Sequence, residues 1–129
     1  MILVDTSVWI VYFRTSAGPV TVHLQELLEE DQVALAVPVK MEILSGSPAR
    51  DWARLHRVLG ALPLYFPSDA TWTRMEGWIR QAVSNGERFG VADLLIASLA
   101  ADRGAALWSL DSDFARMERL GFVRLHAPC

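Results

Sequence analysis

The sequence predicts an α/β fold, with helices on both faces of a central parallel sheet of about five strands. Three observations carry this. Strand-like apolar runs alternate with helical patterns along all 129 residues, an order that calls for a parallel sheet with right-handed crossovers. The first run, Ile2, Leu3 and Val4, is apolar on both faces, as a strand in the middle of a covered sheet must be. No internal repeat, low-complexity tract or linker breaks the pattern, so residues 1–129 read as one domain.

Each element has a local cause. The first strand ends on Asp5, and Thr6–Arg14 reads as a helix entered through Thr6 or Ser7, both good N-cap types. Residues 15–19 interrupt it. Residues 20–30 put Val20, Leu24, Leu27 and Leu28 on one face, with Glu26, Glu29 and Glu30 elsewhere, and so form an amphipathic helix. Residues 33–37 are a second buried strand; Pro38 follows at the first helical position, and residues 39–44 make a short helix closed by Ser45, Gly46, Ser47 and Pro48. Residues 49–59 form another helix, ended by Gly60. Residues 62–66 are a third strand, whose Pro63 places it at a sheet edge or marks the strand's first residue. Ser68 or Asp69 caps a long helix that runs to about Val83 and stops at Ser84, Asn85 and Gly86. Residues 91–103 are apolar nearly all round, predicting a buried helix stopped by Gly104. Residues 105–109 give a fourth strand, 113–120 a short helix ending at Gly121, and 122–125 a last strand.

Composition narrows the function. A hydrophobic content of 52% and a mean hydropathy of +0.23 exclude a disordered protein. The single cysteine, Cys129, builds neither a disulfide framework nor a zinc site alone and fits a reducing compartment. No stretch approaches the roughly 20 apolar residues of a membrane span, and the start lacks a basic leader. The expectation is a cytoplasmic protein that does not enter a membrane. The net charge of −3 argues against broad attraction to nucleic acid, though not against a local basic surface beside an acidic pocket. All the cations except Lys40 are Arg, a bias compatible with phosphate contacts and equally with chance composition.

Ligands of an open parallel sheet bind outside the carboxyl ends of its strands, where Asp5 stands. Glu42 lies in the second turn of the helix after the second strand, and Asp111 and Asp113 directly follow the fourth. Asp93 opens the buried helix, which starts at the same edge if it returns the chain to the bottom of a parallel strand. Singly, each has an ordinary role: Asp5, Asp111 or Asp113 as N-caps, Asp93 as a partner of the helix dipole, Glu42 as a solvated side chain. Jointly these roles weaken, because two carboxylates about 5 Å apart repel by roughly 3 kcal/mol at an effective dielectric of 20. A cluster of them persists at low cost only around a cation. All-oxygen ligation selects Mg²⁺ or Mn²⁺ over zinc, and one or two such ions suit hydrolysis of a phosphodiester. His23, His56 and His126 are scattered on helix and tail surfaces, and neither a nucleophile elbow nor a phosphate-binding glycine loop is present.

Four segments in order, Val4-Asp5-Thr6-Ser7-Val8-Trp9, Pro38-Val-Lys-Met-Glu42-Ile-Leu-Ser-Gly46, Ala92-Asp93-Leu-Leu-Ile-Ala97 and Ser109-Leu-Asp111-Ser-Asp113-Phe114, resemble the motifs of PIN-domain ribonucleases. The short length is similar to the VapC toxins of toxin–antitoxin pairs. The resemblance implies a PIN-like three-layer α/β/α fold and a metal-dependent endoribonuclease with Mg²⁺ or Mn²⁺ as cofactor. It implies metal ligation by Asp5, Glu42 and Asp93, with Asp111 and Asp113 completing the site and Ser7 and Ser109 bonding the ligands or water from behind. Asp111 stands where many relatives carry Asn, so it either touches a metal or orients Asp113. The resemblance also implies a homodimer, an RNA substrate and a VapB-like antitoxin as partner.

For the RNA track, Arg50, Arg54 and Arg57 share a helical face by i, i+4, i+7 spacing, as phosphate contacts or as a solvated surface. Arg14, just past the first helix, would meet either RNA phosphate or an antitoxin carboxylate. Trp52, Trp72 and Trp78 either pack at the core or an interface, or stack bases. The competing readings are a PIN nuclease of RNA processing or decay without an antitoxin, and a PIN scaffold that only binds. A haloacid-dehalogenase-like phosphatase would need a second Asp where Ser7 stands. A receiver domain would need a late Lys, and the chain's only Lys is Lys40.

Overall fold

The computed structural model describes residues 1–128; Cys129 lies outside the described residues. Among the described residues four strands form one sheet: β1 (Ile2–Val4), β2 (Val33–Ala36), β3 (Leu64–Tyr65) and β4 (Ala106–Trp108), in the order β3-β2-β1-β4. Every pairing is parallel, with Leu3 opposite both Ala34 and Leu107, and Ala36 opposite Tyr65. All carboxyl ends therefore share one edge. The four residues of β2 and both Leu3 and Val4 of β1 are buried, so helices cover the sheet on both faces.

The helices are α1 (Thr6–Arg14), α2 (Pro19–Glu29), α3 (Val37–Ser45), α4 (Trp52–Gly60), α5 (Asp69–Ser84), α6 (Val91–Asp102) and α7 (Asp113–Arg119). α1 packs on α2 and α3, and α5 on α6, which also meets α3 and β4. The apolar stripe of α2 buries Leu24 and Leu27, while Leu94, Ile96, Ala97, Leu99 and Ala100 of α6 are buried together, as an all-round apolar helix requires. Trp9, fully buried in α1, stacks on Phe13 at 5.6 Å between ring centroids.

Several expectations shift in detail. The cap of α1 is Asp5, not Thr6 or Ser7: its carboxylate accepts from the Ser7 amide at 3.4 Å. Pro38 is the second helical residue of α3, not the first, because Val37 already turns after the last residue of β2. α4 is preceded by a separate 3-10 turn, Ala49–Asp51. β3 is an edge strand, as Pro63 suggests, but only two residues long. The expected fifth strand at 122–125 is reduced to one parallel bridge, Leu107 to Leu125, held by Leu107 N to Arg124 O (2.9 Å) and His126 N to Leu107 O (2.8 Å). Gly121, at φ +81°, turns the chain back so late that only this short stretch meets β4.

Candidate active site

The parallel sheet determines where the acids go. Asp5 follows β1 directly, and its amide donates to the Trp108 carbonyl at 2.9 Å, tying it to the end of β4. Asp5 is buried, an exception among charged residues that needs partners. Its Oδ2 has them: the hydroxyls of Ser7 and Ser109 each donate to it at 2.8 Å. The two hydroxyls lie 3.2 Å apart and are themselves fixed, Ser7 Oγ accepting from the Leu110 amide (2.9 Å) and Ser109 Oγ from the Asp111 amide (3.0 Å). Residues separated by about a hundred positions thus hold one carboxylate rigid. Asp5 Oδ1 accepts no hydrogen bond among the described residues.

Asp93 occupies the first turn of α6. One carboxylate oxygen from each of Asp93, Asp111 and Asp113 lies within 4.8 Å of the other two. The Asp93 carboxyl is pushed up to about 6, first by burial and then by the charges of Asp111, Asp5, Asp113 and Glu42. All four other predicted acids therefore act on this one group. Glu42, on the exposed side of α3, is also raised, by burial and by Asp5, while the nearby Thr6 hydroxyl opposes the rise.

Asp111 does local work as well: its Oδ1 accepts from the Asp113 amide at 2.9 Å at the start of α7. Asp113 is gripped by Arg116, one turn on, at 2.7 Å; the same guanidinium pairs with Glu87 and lies over the Phe89 ring at 4.8 Å. Sequence reasoning missed Arg116, although its i, i+3 spacing from Asp113 on a helix is the signal that finds it.

The donors are carboxylate oxygens throughout, and their repulsion is relieved only in part, at Asp113. That chemistry fits a hard divalent cation. Without an ion, burial and then the charges of the other four acids keep the Asp93 carboxyl well above the usual carboxylate range.

Arg50 belongs to the 3-10 turn that leads directly into α4, and Arg54 and Arg57 to α4 itself. Arg54 lies over the Phe13 ring at 5.6 Å, and Arg57 is exposed. Arg14 is exposed and borders the same groove as Glu42. Trp78 stacks on Phe122 at 4.5 Å, the packing role, and the Trp52 indole donates to the carbonyls of Leu44 (3.1 Å) and Ser47 (3.2 Å). His23 and His126 are not scattered: their Nε2 atoms lie 2.8 Å apart with rings 4° from coplanar, beside Trp108.

Comparison with known proteins gives a consistent picture. The sequence model of the PIN domain matches residues 2–120. The chain is 36% identical over 125 residues to Ribonuclease VapC11 of Mycobacterium tuberculosis, covering 93% of each. In structure it is similar to VapBC-1 of nontypeable Haemophilus influenzae, with a TM-score of 0.78, 17% identity and coverage of 98% and 97% of the two chains. It is also similar to a toxin–antitoxin complex from Klebsiella pneumoniae, with a TM-score of 0.74, 18% identity and coverage of 100% and 98%.

Proposed function

Because this chain belongs to the PIN domain family, we propose that it is a metal-dependent endoribonuclease and the toxin of a toxin–antitoxin pair. In this reading it is a single PIN domain over 1–129, acting on cytoplasmic RNA and silenced by a VapB-like antitoxin. The observation that carries it is the convergence of Asp93, Asp111 and Asp113 within 4.8 Å, on a rim where Asp5 and Glu42 also bear on Asp93. The name of the 36% identical relative supports RNA as substrate, and the structural neighbours support an antitoxin partner.

Asp5, Glu42 and Asp93, completed by Asp111 and Asp113, would hold Mg²⁺ or Mn²⁺. When bound, such an ion polarises the scissile phosphate and lowers the pKa of the attacking water. The chain's own residues supply position. Ser7 and Ser109 hold Asp5 by one oxygen and leave the other without a hydrogen bond among the described residues. Asp111 orients the start of α7, and Arg116 fixes Asp113. Arg14, with Arg50, Arg54 and Arg57 farther out, would hold RNA phosphates, offsetting the repulsion of an acidic rim. Trp72, Ile79 and Val83 are exposed at one face of α5, which supports a homodimer through that helix.

Asp5→Asn and Asp93→Asn each lower Mg²⁺-dependent RNA cleavage by about a hundredfold or more, since even partners of metal ligands act on that scale. Circular dichroism shows both variants folded, because each also removes a repelling charge. Cleavage at the parent rate by both removes the catalytic assignment.

A further inference from the structure

Beside Glu42, between α1 and α3, the surface opens into a groove of about 320 Å³. Thr6 and Arg14 both line it, eight residues apart on α1, so it extends about 12 Å along that helix at 1.5 Å per residue. Its middle is apolar, with Ile10 41% exposed and Phe13 half-buried. Thr6 Oγ1 is buried beside Glu42, on whose carboxyl it acts, and is closed to the groove. One polar group on the walls is without a partner: the carboxylate of Asp51, the N-cap residue of α4, makes no capping hydrogen bond and forms no ion pair among the described residues.

An apolar floor with the carboxylates of Asp51 and Glu42 and the Arg14 guanidinium around it suits a flat base, whose faces are apolar and whose edge is polar. At about 320 Å³ the space is at the small end of ligand pockets, which suits a single nucleotide. We propose that this groove is a nucleotide subsite next to the scissile phosphate, taking a base that carries an exocyclic amine. The base lies against Ile10 and Phe13, its amine donates to Asp51, and its phosphate faces Arg14. Uracil offers a carboxylate only its N3–H, flanked by two carbonyl oxygens that repel the Asp51 charge, and is the disfavoured base. This inference rests on the nuclease reading and names the substrate class of that same site.

The test uses fluorescein-labelled oligoribonucleotides that differ only in the base beside one cleavage position. Binding is measured in the Asp93→Asn protein, where cleavage is not needed, and kcat/KM in the parent. An amine-bearing base is favoured over uracil by about tenfold in both, as for a site built to bond a polar group. Asp51→Ala and Ile10→Ala, both at accessible positions, shrink that ratio several-fold. Because the ratio compares substrates on one protein, a uniform catalytic loss cancels out of it. A parent that treats the four bases alike, or variants that keep the ratio, overturn the subsite. So does an abasic nucleotide that binds as well as a base, which would give the groove to another occupant such as a protein segment. Base-dependent binding with no cleavage by the parent supports the subsite and instead removes the nuclease reading.

Discussion

Asp93 sits in the first turn of α6, where the helix dipole favours a carboxylate, yet its pKa is pushed up to about 6. Burial and four neighbouring acids outweigh the dipole. The sign of the consequence follows from linkage: the folded protein holds this proton more tightly than the unfolded chain, whose Asp titrates near 3.8. The resulting stability is fully present below 3.8 and is lost as pH rises through about 6. Urea denaturation of ion-free parent and Asp93→Asn should therefore diverge with pH, the parent losing midpoint relative to the variant between about pH 4 and pH 7. Parallel curves would remove the electrostatic account of the cluster. At this scale the five acids were legible from residue type and position after strands. The Ser7 and Ser109 bonds to one oxygen of Asp5 fit the resemblance, and the spacing of Arg116 from Asp113 carries its own signal, but the His23–His126 contact needed coordinates, since nothing in a linear sequence says which side chains across 103 positions touch.

Among elements, α6 is fixed by α5 through a polar staple that no sequence period reveals. Arg74 pairs with Asp102 and donates to Ser98 O (3.2 Å) and Oγ (3.1 Å), while the fully buried Thr71 hydroxyl donates to Asp102 at 2.6 Å. Thr71 Oγ1 in turn accepts from the Ser68 amide at 2.9 Å, so the start of α5 and the end of α6 are one network. Asp102→Ala removes the carboxylate that Arg74 and Thr71 share and should cost about 2–3 kcal/mol of stability, read as a lower urea midpoint with unchanged slope. It should leave cleavage intact below the new midpoint, because Asp102 lies at the opposite end of α6 from Asp93. Element identities were largely legible: the twofold apolar β1, the amphipathic α2 and the all-apolar α6 match their patterns. Boundaries were less so. The last strand became a single bridge because the chain turns back at Gly121 so late that only the stretch around Leu125 meets β4.

For the whole molecule, the consequence of parallel pairing is that the ends of β1 and β4 and the starts of α1 and α7 gather on one edge. A divalent ion bound there should stabilise the native state alone. Mg²⁺ or Mn²⁺ at ten times its dissociation constant should add about 1.4 kcal/mol, raising the melting temperature of the parent and not of Asp93→Asn. A midpoint that neither ion moves counts against the cluster as a metal centre. At the far side of the same sheet-building logic, the His23–His126 contact ties the segment after the last bridge to α2. Among the described residues no helix is long and apolar enough to cross a membrane. The amino-acid order by itself determined the alternation of elements, the central place of the first strand and the identity of the five acids, because these depend on periodicity and on residue chemistry. Only the tertiary structure decided how close the acids stand, which hydroxyls hold Asp5, and that a groove lined by Ile10, Arg14 and Asp51 opens beside Glu42. Those are distances between remote segments, and they are set by how helices and strands pack, not by any property a segment has alone.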